Sequence, residues 1–379
     1  MARDIRFQIM IDQELDLELT QQATEIEVSQ SIEKPWEFRI RFAVDICDAE
    51  LKPSRDPRLV PNTKDTLVSV LASVDDKTVC LVQGIITSRQ TSAMVGGPGS
   101  WVEIFGSDRR AVMHREFKTK LHEGKASEIV EQILKDYGFE AKVDPSTIEY
   151  SEDQNMLVQA HSDLDFLDQL AGNNGYYFWI DYDVTTDFLG RVEIKENAHF
   201  AASPPRPKDA GPFGALVSLL APSSPPKLTI NTNDGCSSMA LFEHKERFEA
   251  INRTPTLRRI NIDDAQVEDT DIGAPTDDPL GGPPRPAQAR TCRVVTAGGI
   301  EEAHLRNQNA LNDAAWTVDA QAKTTVFALG DIVTPHQLIE VSGAGEDMDG
   351  QYLISSVTHH INAADHKMEI NLQRNPGGG

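Results

Sequence analysis

Apolar and polar residues alternate along both ends of the chain, and this pattern constrains the fold more than any other feature. Near the start, "DIRFQIMID" places every second residue from Ile5 to Ile11 on one side of an extended chain, and "PWEFRIRFAV" repeats the pattern from Trp36 to Phe42. Near the end, "HKMEINLQRN" does the same from Met368 to Leu372. A period of two residues is typical of antiparallel strands that bury one face. The sequence therefore predicts β structure at both ends, with a bulge near Ser355 and Ser356, where the buried positions change parity.

Between these ends the period changes to that of helices. "GKASEIVEQILKDYGFE" carries apolar residues at helical spacing and has a glycine where the helix would end. In "HSDLDFLDQLAGNNGYYFWID", Ser162 and Asp165 have the spacing of a capping box, and Phe166 and Leu170 belong to a buried stripe. These two helices and their flanking strands predict a small α/β unit.

The residues after the second helix predict a tight joint. Either Gly172 or Gly175 ends the helix, and the aromatic run "YYFWI" continues as a strand. An aromatic platform for a sugar or peptide is the weaker interpretation, because strand residues alternate between faces and at most two of the four rings can line one surface. We therefore predict a structural joint that locks the small unit against the strand-rich parts, formed by Ser162, Asp165, Phe166, Leu170, Tyr177 and Trp179.

These patterns together predict an α+β fold, mainly β, with two antiparallel β-barrel domains, a small α/β domain between them and a short helical insertion. The predicted parts are 1–108 for the first barrel, 109–183 for the α/β domain, 184–262 for the first part of the second barrel with a proline-rich connection, 263–317 for an acidic, Pro/Gly-rich insertion and a helix, and 318–375 for the closing strands of the second barrel.

Charge and composition exclude several classes of protein. Thirty-six Lys and Arg against 59 Asp and Glu give a net charge of −23, which disfavours direct binding to nucleic acid or anionic membranes. No apolar run approaches the roughly 20 residues of a membrane-spanning helix, and no secretory signal is readable, so synthesis in a cytoplasm is expected. The cysteines are far apart, which predicts buried free thiols at Cys47, Cys80, Cys236 and Cys292.

No constellation of catalytic or metal-ligating residues stands out. His359 and His360 are adjacent on a predicted strand and point to opposite faces, so with His366 we interpret them as core or surface residues and not as metal ligands. Asp163 and Asp165 occupy the first turn of a helix, where carboxylates interact favourably with the helix dipole. The sequence predicts no catalytic residue, no cofactor and no metal.

Three motifs in the same order resemble those of phage late control D proteins and the VgrG hubs of type VI systems. The first is "HSDLDFLDQLAGNNGYYFWID", the second is the preceding helix in "GKASEIVEQILKDYGFE", and the third is the closing pattern of a glycine, a D-G-x-Y run, a V-x-H run and a final alternating strand. The positions that carry the first motif are Ser162, Asp163, Phe166, Leu167, Leu170, Ala171, Gly175, Tyr176, Tyr177 and Phe178, and those of the third are Gly330, Asp349, Gly350, Tyr352, Val357, His359 and Leu372.

The resemblance implies a baseplate hub of a contractile injection machine and no enzymatic activity. Such a hub is a homotrimer with two barrels per protomer, and its ring adapts the sixfold tail tube to the threefold spike. The implied partners are a second and third copy, a spike protein, tail tube or tube-initiator proteins and baseplate wedge proteins. Because VgrG hubs continue into an OB-fold and a spike that this sequence lacks, a separate spike protein is expected to dock near the end, at Leu372, Gln373, Arg374 and Asn375.

Assembly in the bacterial cytoplasm, and a final place in the tail baseplate, follow from the same resemblance. The sequence does not distinguish a phage tail from a phage-tail-like bacteriocin or an extracellular injection system. A second class of function also stays open, a tail-associated peptidoglycan hydrolase or glycan-binding protein that uses Asp and Glu side chains of the small α/β unit.

Overall fold

A computed structural model describes most of the chain. The described residues are 4–44, 56–60, 65–94, 99–151, 156–187, 191–202, 225–231, 237–247, 249–251, 256–260, 267–271, 276–277, 279–281, 288–290 and 300–376. The proline-rich connection predicted at 204–226 lies outside them as far as residue 224, and so does most of the acidic insertion. Cys47, Cys236 and Cys292 lie outside them as well.

Strands dominate the described residues, and helices are concentrated in the middle of the chain. The strands are β1 Ile5–Ile11, β2 Glu14–Leu15, β3 Ala23–Ser31, β4 Glu37–Ala43, β5 Leu67–Val74, β6 Lys77–Ser92, β7 Trp101–Asp108, β8 Phe117–His122, β9 Gly124–Lys125, β10 Glu140–Val143, β11 Glu149–Tyr150, β12 Leu157–Ser162, β13 Tyr177–Thr186, β14 Val192–Ala201, β15 Lys227–Thr229, β16 Met239–Glu246, β17 Glu249–Ile251, β18 Thr256–Ile260, β19 Val267–Asp271, β20 Gln288–Arg290, β21 Val318–Thr325, β22 Leu338–Ser342, β23 Gly350–Asn362 and β24 His366–Arg374. The helices are α1 Leu17–Gln22, α2 Arg110–Met113, α3 Ala126–Asp136, α4 Asp163–Asn174, α5 Ile300–Ala314 and α6 Val326–Leu329.

One large sheet contains strands from both ends of the chain. Its order is β16-β21-β24-β23-β3-β4-β7-β6-β5-β1-β2, and β22 and β15 continue from β23. The two ends meet where β23 pairs antiparallel with β3, from Ser356 opposite Ser31 to Asn362 opposite Glu25. The mainly β, α+β prediction is therefore confirmed.

The prediction of two barrels is not confirmed, because no sheet closes on itself within the described residues. The alternating pattern predicts which side chains are buried, but a curved open sheet and a closed barrel bury the same alternate positions. The buried side chains of both ends also form one apolar cluster, which includes Ile40 and Val70 from the first part and Val357 and Ile370 from the last.

The bulge predicted near Ser355 and Ser356 is present. The register between β23 and β24 shifts between Ile354 and Ser356, so the buried positions change parity there. Beyond the shift, Val357, His359 and Ile361 are buried, as the sequence predicts. Cys80 is a buried free thiol, and burial holds its pKa well above the usual value.

A second apolar cluster lies in the middle of the chain. It contains α3, α4 and the sheet β10-β14-β13, in which β10 runs parallel to β14 and β13 runs antiparallel to it. The sequence-based boundary at 183 falls inside β13, and β14 belongs to this small sheet. Within the part of the chain that the structure describes, none of the helices is long and apolar enough to cross a membrane.

Candidate functional site

The helix of the predicted joint begins and ends at the residues that the sequence indicates. The Ser162 hydroxyl accepts a hydrogen bond from the Asp165 amide at 3.2 Å and donates one to the Asp165 carboxylate at 2.6 Å. Of the two candidate glycines, Gly175 ends α4 with a φ of +69°, in the left-handed region. Its missing side chain also leaves room for α5, because a Cβ there would lie 2.4 Å from Asn309 Oδ1.

Phe166 and Leu170 face the core of the small unit and not the large sheet. Both side chains are fully buried in the second apolar cluster. The Phe166 ring stacks on His122, with 4.9 Å between ring centroids. These two residues therefore hold α4 inside the small unit, and the contact with the large sheet is made elsewhere.

Tyr177 and Trp179 make that contact through His336. The Trp179 ring is stacked between His199 and His336, with centroid distances of 4.6 Å and 3.9 Å, and Tyr177 meets His336 edge to face at 5.9 Å. The His336 amide donates to the Ile354 carbonyl of β23 at 3.1 Å. The aromatic strand β13 is thereby connected to the large sheet, at the strand that also pairs with β3.

His336 is neutral in this position. Burial lowers its pKa well below the usual value, and the neighbouring Arg110 and His199 lower it further. A neutral imidazole can stack on an indole at van der Waals distance without the desolvation cost of a buried charge.

A buried ion pair beside this stack adds a second connection that the sequence did not predict. Asp108 and Arg110 are almost fully inaccessible, and their side chains are joined by hydrogen bonds of 2.7 to 3.2 Å. Asp108 also accepts from the Trp36 amide at 2.6 Å, while Arg110 donates to the Phe178 and Lys34 carbonyls at 3.0 and 3.1 Å. The pair therefore fixes the end of β7 against the start of β4 and against β13.

Further polar contacts link the same two units. The Tyr182 hydroxyl donates to the Gln83 carbonyl of β6 at 3.0 Å, and its ring meets Trp36 edge to face at 5.9 Å. Arg109 pairs with Glu196 of β14 and donates to the Tyr137 carbonyl at 2.8 Å. The connections described here are packing contacts, hydrogen bonds and ion pairs, which suits a joint.

The candidate docking residues at the chain's end are mostly inside the fold. Leu372, Arg374 and Asn375 are buried, Gln373 is half-buried, and β24 is paired on both sides, with β21 and β23. Arg374 donates to the carbonyls of Asp347 and Asp349 at 2.6 and 3.1 Å. These residues hold the preceding turn in place, and a docking role for them remains a prediction.

Asp163, one of the two carboxylates in the first turn of α4, has structural partners. Asp163 is buried and accepts hydrogen bonds from Lys118, from Gln159 at 2.8 Å and from Tyr137 at 2.7 Å. Burial acts to raise its pKa, but these hydrogen bonds outweigh that effect and hold the pKa below the usual value. Such a group is an anion with its acceptor positions occupied, which does not suit a general acid.

Histidines are distributed as the sequence predicts, with His359 in the core and His360 at the surface. His359 and His366 share a hydrogen bond of 3.0 Å, and His359 also bonds to Gln30 of β3 at 3.2 Å. Within the described residues, no group of three or more His, Cys, Asp or Glu is arranged to hold a metal ion.

Comparisons with known proteins identify the fold. No family model matches the sequence, and no curated protein matches it. Among solved structures, a tail protein from Neisseria meningitidis is similar with a TM-score of 0.61 and 10% identity, over 97% of this chain and 96% of the other. The 43 kDa tail protein of prophage MuSo2 from Shewanella oneidensis is similar with a TM-score of 0.57 and 13% identity, over 97% and 98%.

A chain of the Francisella PdpA-VgrG complex is similar with a TM-score of 0.59 and 10% identity, over all of this chain and 60% of that one. This chain therefore has the fold shared by phage tail proteins and by a chain of a VgrG complex, and the resemblance drawn from the sequence is confirmed at the level of the fold. At these identities the similarity defines the fold alone.

Proposed function

We propose that the protein is a structural baseplate hub of a contractile phage tail or a phage-tail-like injection system. In this role it forms a homotrimeric ring that adapts the sixfold tail tube to the threefold spike, and it catalyses no reaction of its own. The observation that carries the proposal is the match to two tail proteins over nearly the whole length of both chains.

The arrangement of strands in the last part of the chain supports one barrel-like unit. In the last part, β15 and β16 are the first and last strands of the series β15-β22-β23-β24-β21-β16, and they approach each other where the Ser238 amide donates to the Thr229 carbonyl at 2.9 Å. This series is therefore close to a closed barrel. Three copies with two such parts each would give six barrel-like units around a channel, which is the symmetry match that the proposal requires.

The joint has a mechanical role in this proposal. The stack of His199, Trp179 and His336 and the buried Asp108–Arg110 pair fix the small unit to the large sheet, so that force on one is passed to the other. The proposed partners are a spike protein, tail tube or tube-initiator proteins and wedge proteins. Assembly would take place in the bacterial cytoplasm before incorporation into the tail baseplate.

Mass measurement and electron microscopy of the purified protein test the hub directly. We expect light scattering after size-exclusion chromatography to give three times the monomer mass, and negative-stain images to show a ring with a central channel. A monomer, or a trimer whose copies do not surround a channel, would contradict the proposal.

A peptidoglycan hydrolase or glycan-binding protein is the alternative that the sequence left open. It predicts a loss of turbidity when the protein is added to purified cell walls. A convenient control is Asp168→Asn, because Asp168 in α4 is a carboxylate whose pKa is raised, to about 6, chiefly by desolvation. We expect neither the protein nor this variant to clear the suspension.

A further inference from the structure

Two buried histidines lie at the seam where the two ends of the chain are joined. Among the strands that the structure describes, β23 and β3 form the one pairing between the first part of the large sheet and its last part. His359 of β23 and His366 of β24 are buried, and their rings share a hydrogen bond of 3.0 Å. His359 also bonds to Gln30 of β3 at 3.2 Å, so the seam carries a polar contact inside an apolar core.

The direction of these hydrogen bonds is fixed by a carbonyl of β6. The Leu81 carbonyl can only accept, and it receives the Gln30 amide nitrogen at 2.7 Å, so the Gln30 amide oxygen is turned towards His359. His359 must then donate from Nε2, which leaves its Nδ1 as an acceptor. His366 must donate from Nε2 to that atom. The four residues therefore form a one-way chain of hydrogen bonds in which both histidines are neutral.

The chain of hydrogen bonds can take up a proton only at His366. A proton on Nδ1 of His359 would face the N–H of His366 and break the bond between them. His366 can take a proton on its own Nδ1 and still donate from Nε2. That proton creates a cation in the core, and burial accordingly lowers the pKa of His366 to about 4.

Among the described residues, no carboxylate lies at ion-pairing distance from either ring to stabilise such a cation. The charged residues of the paired strands, His360, Glu27 and Lys367, form a row on the other face of the sheet. On β6, Cys80 belongs to a separate apolar cluster, and the short helix α6 beside β24 has no titratable side chain. The residues that share the inner face with the pair are uncharged: Ile26, Val28, Thr324, Ile361 and Met368. A proton on His366 is therefore accommodated by opening the seam to water and not by an ion pair.

We propose that Leu81, Gln30, His359 and His366 form an acid-sensitive latch, in which a proton taken up by His366 weakens the pairing of β23 with β3 and lets the two ends of the large sheet separate. The latch belongs to the single chain and does not depend on the proposed hub. Above pH 6.5 histidine is mostly neutral whether the seam is closed or open, so the latch stays closed. As the pH falls towards 4, the open form takes up protons that the closed form excludes, and its population rises.

Hydrogen exchange of the backbone amides of the full chain at pH 7 and pH 5, corrected for the intrinsic effect of pH on exchange, tests the latch. Because the pKa of His366 is about 4 in the closed form and returns to its ordinary value in the open form, acidification should speed exchange in β3 and β23 by about tenfold to thirtyfold. β5, which pairs with β1 and β6 away from the seam, should accelerate by less. No acceleration at the seam, or an equal acceleration in β5, would overturn the latch.

Two variants at one position separate the proton from the hydrogen bond. His366→Gln keeps a donor for His359 but cannot take up the proton, so β3 and β23 should stay protected at pH 7 and respond several-fold less to pH 5. His366→Leu removes the donor as well and should speed exchange at the seam already at pH 7. The matched control is His122→Gln, at a buried histidine of the small unit whose pKa burial also lowers, and it should leave the response of the seam unchanged. A full response to acid in His366→Gln would also overturn the latch.

Discussion

Neighbouring side chains on α4 have opposite environments, which makes this helix a sensitive test of the fold. Phe166 and Leu170 are fully buried, while Gln169 beside them is exposed. An aspartate at either buried position would place an unpaired charge in a packed core, at a cost of several kcal/mol. We expect Phe166→Asp and Leu170→Asp to prevent folding, as judged by loss of protein from the soluble fraction after expression.

Gln169→Asp is the matched control for these two substitutions, since it introduces the same charge on the same helix. It should yield folded protein, with a free energy of unfolding within about 0.5 kcal/mol of the parent. Folded protein from both Phe166→Asp and Leu170→Asp would show that α4 does not pack as described.

Single residues also show which features of the joint could be predicted from the sequence and which could not. Ser162 and Gly175 could be predicted because helix ends have local signals, a hydroxyl acceptor and a left-handed residue. His336 and the Asp108–Arg110 pair could not, because their partners are distant in sequence and nothing local distinguishes a buried charged pair from a solvated one. The available signal for the pair was the run of charged residues Asp108, Arg109 and Arg110 at the end of "SWVEIFGSDRR".

Two glycines near the end of α4 should respond in opposite ways to replacement by alanine. Gly175 has a φ of +69°, and a Cβ there would lie within 3 Å of Asn309, whereas a Cβ at Gly172 would meet nothing within 4 Å. We expect Gly175→Ala to lower the free energy of unfolding by about 1 to 3 kcal/mol. Gly172→Ala should raise it by about 0.5 to 1 kcal/mol, because alanine is the better helix residue.

Urea denaturation of the two variants measures this difference. If both variants change the free energy of unfolding equally and in the same direction, α4 does not end at Gly175.

The junction of β3, β23 and β24 should make stability depend on pH. Burial lowers the pKa of His359 well below its usual value, with a further contribution from His366 and His360, and burial lowers the pKa of His366 to about 4. Because both pKa values are depressed in the folded state, the unfolded chain binds protons that the folded chain does not, between pH 6.5 and about 4. The stability that these two histidines contribute is therefore complete above pH 6.5 and is lost as the pH falls, by up to about 3 kcal/mol for His366.

Urea denaturation at a series of pH values between 6.5 and 4.5 measures this dependence. His366→Gln should reduce the slope of the free energy of unfolding against pH, and the comparison variant His360→Gln, at a half-buried position of the neighbouring strand β23, should reduce it less. His336 titrates in the same direction and remains in every variant, so the slope should decrease without vanishing. If His366→Gln leaves the dependence of the free energy of unfolding on pH unchanged, His366 does not have the lowered pKa described here.

Strands and helices were more predictable than their assembly. The period of two identified β1, β4 and β24, and the period of helices identified α3 and α4, because these patterns reflect local burial. The pairing of β23 with β3 joins residues more than 300 positions apart, and no local pattern encodes it. That pairing merges two predicted domains into one sheet, which is why the two-barrel description was not confirmed.

The molecule as a whole should unfold in two cooperative parts that do not follow its predicted domains. One apolar cluster joins strands from the first hundred and the last sixty residues, and a second cluster contains α3, α4 and their sheet. A substitution in the last strand should therefore weaken the first strands as well, since they share a core and a ladder of hydrogen bonds.

Hydrogen exchange of the backbone amides tests this sharing. Ile370→Ala removes a fully buried side chain of β24 and should lower stability by about 2 to 5 kcal/mol. We expect faster exchange not only in β24 but also in β3 and β4, which lie at the other end of the sequence. The matched variant Leu170→Ala, with an equally buried side chain, should accelerate exchange in α3 and α4 more than in β3. If Ile370→Ala leaves β3 and β4 fully protected, the two ends are separate folding units, and the single large sheet does not act as one body in the proposed ring.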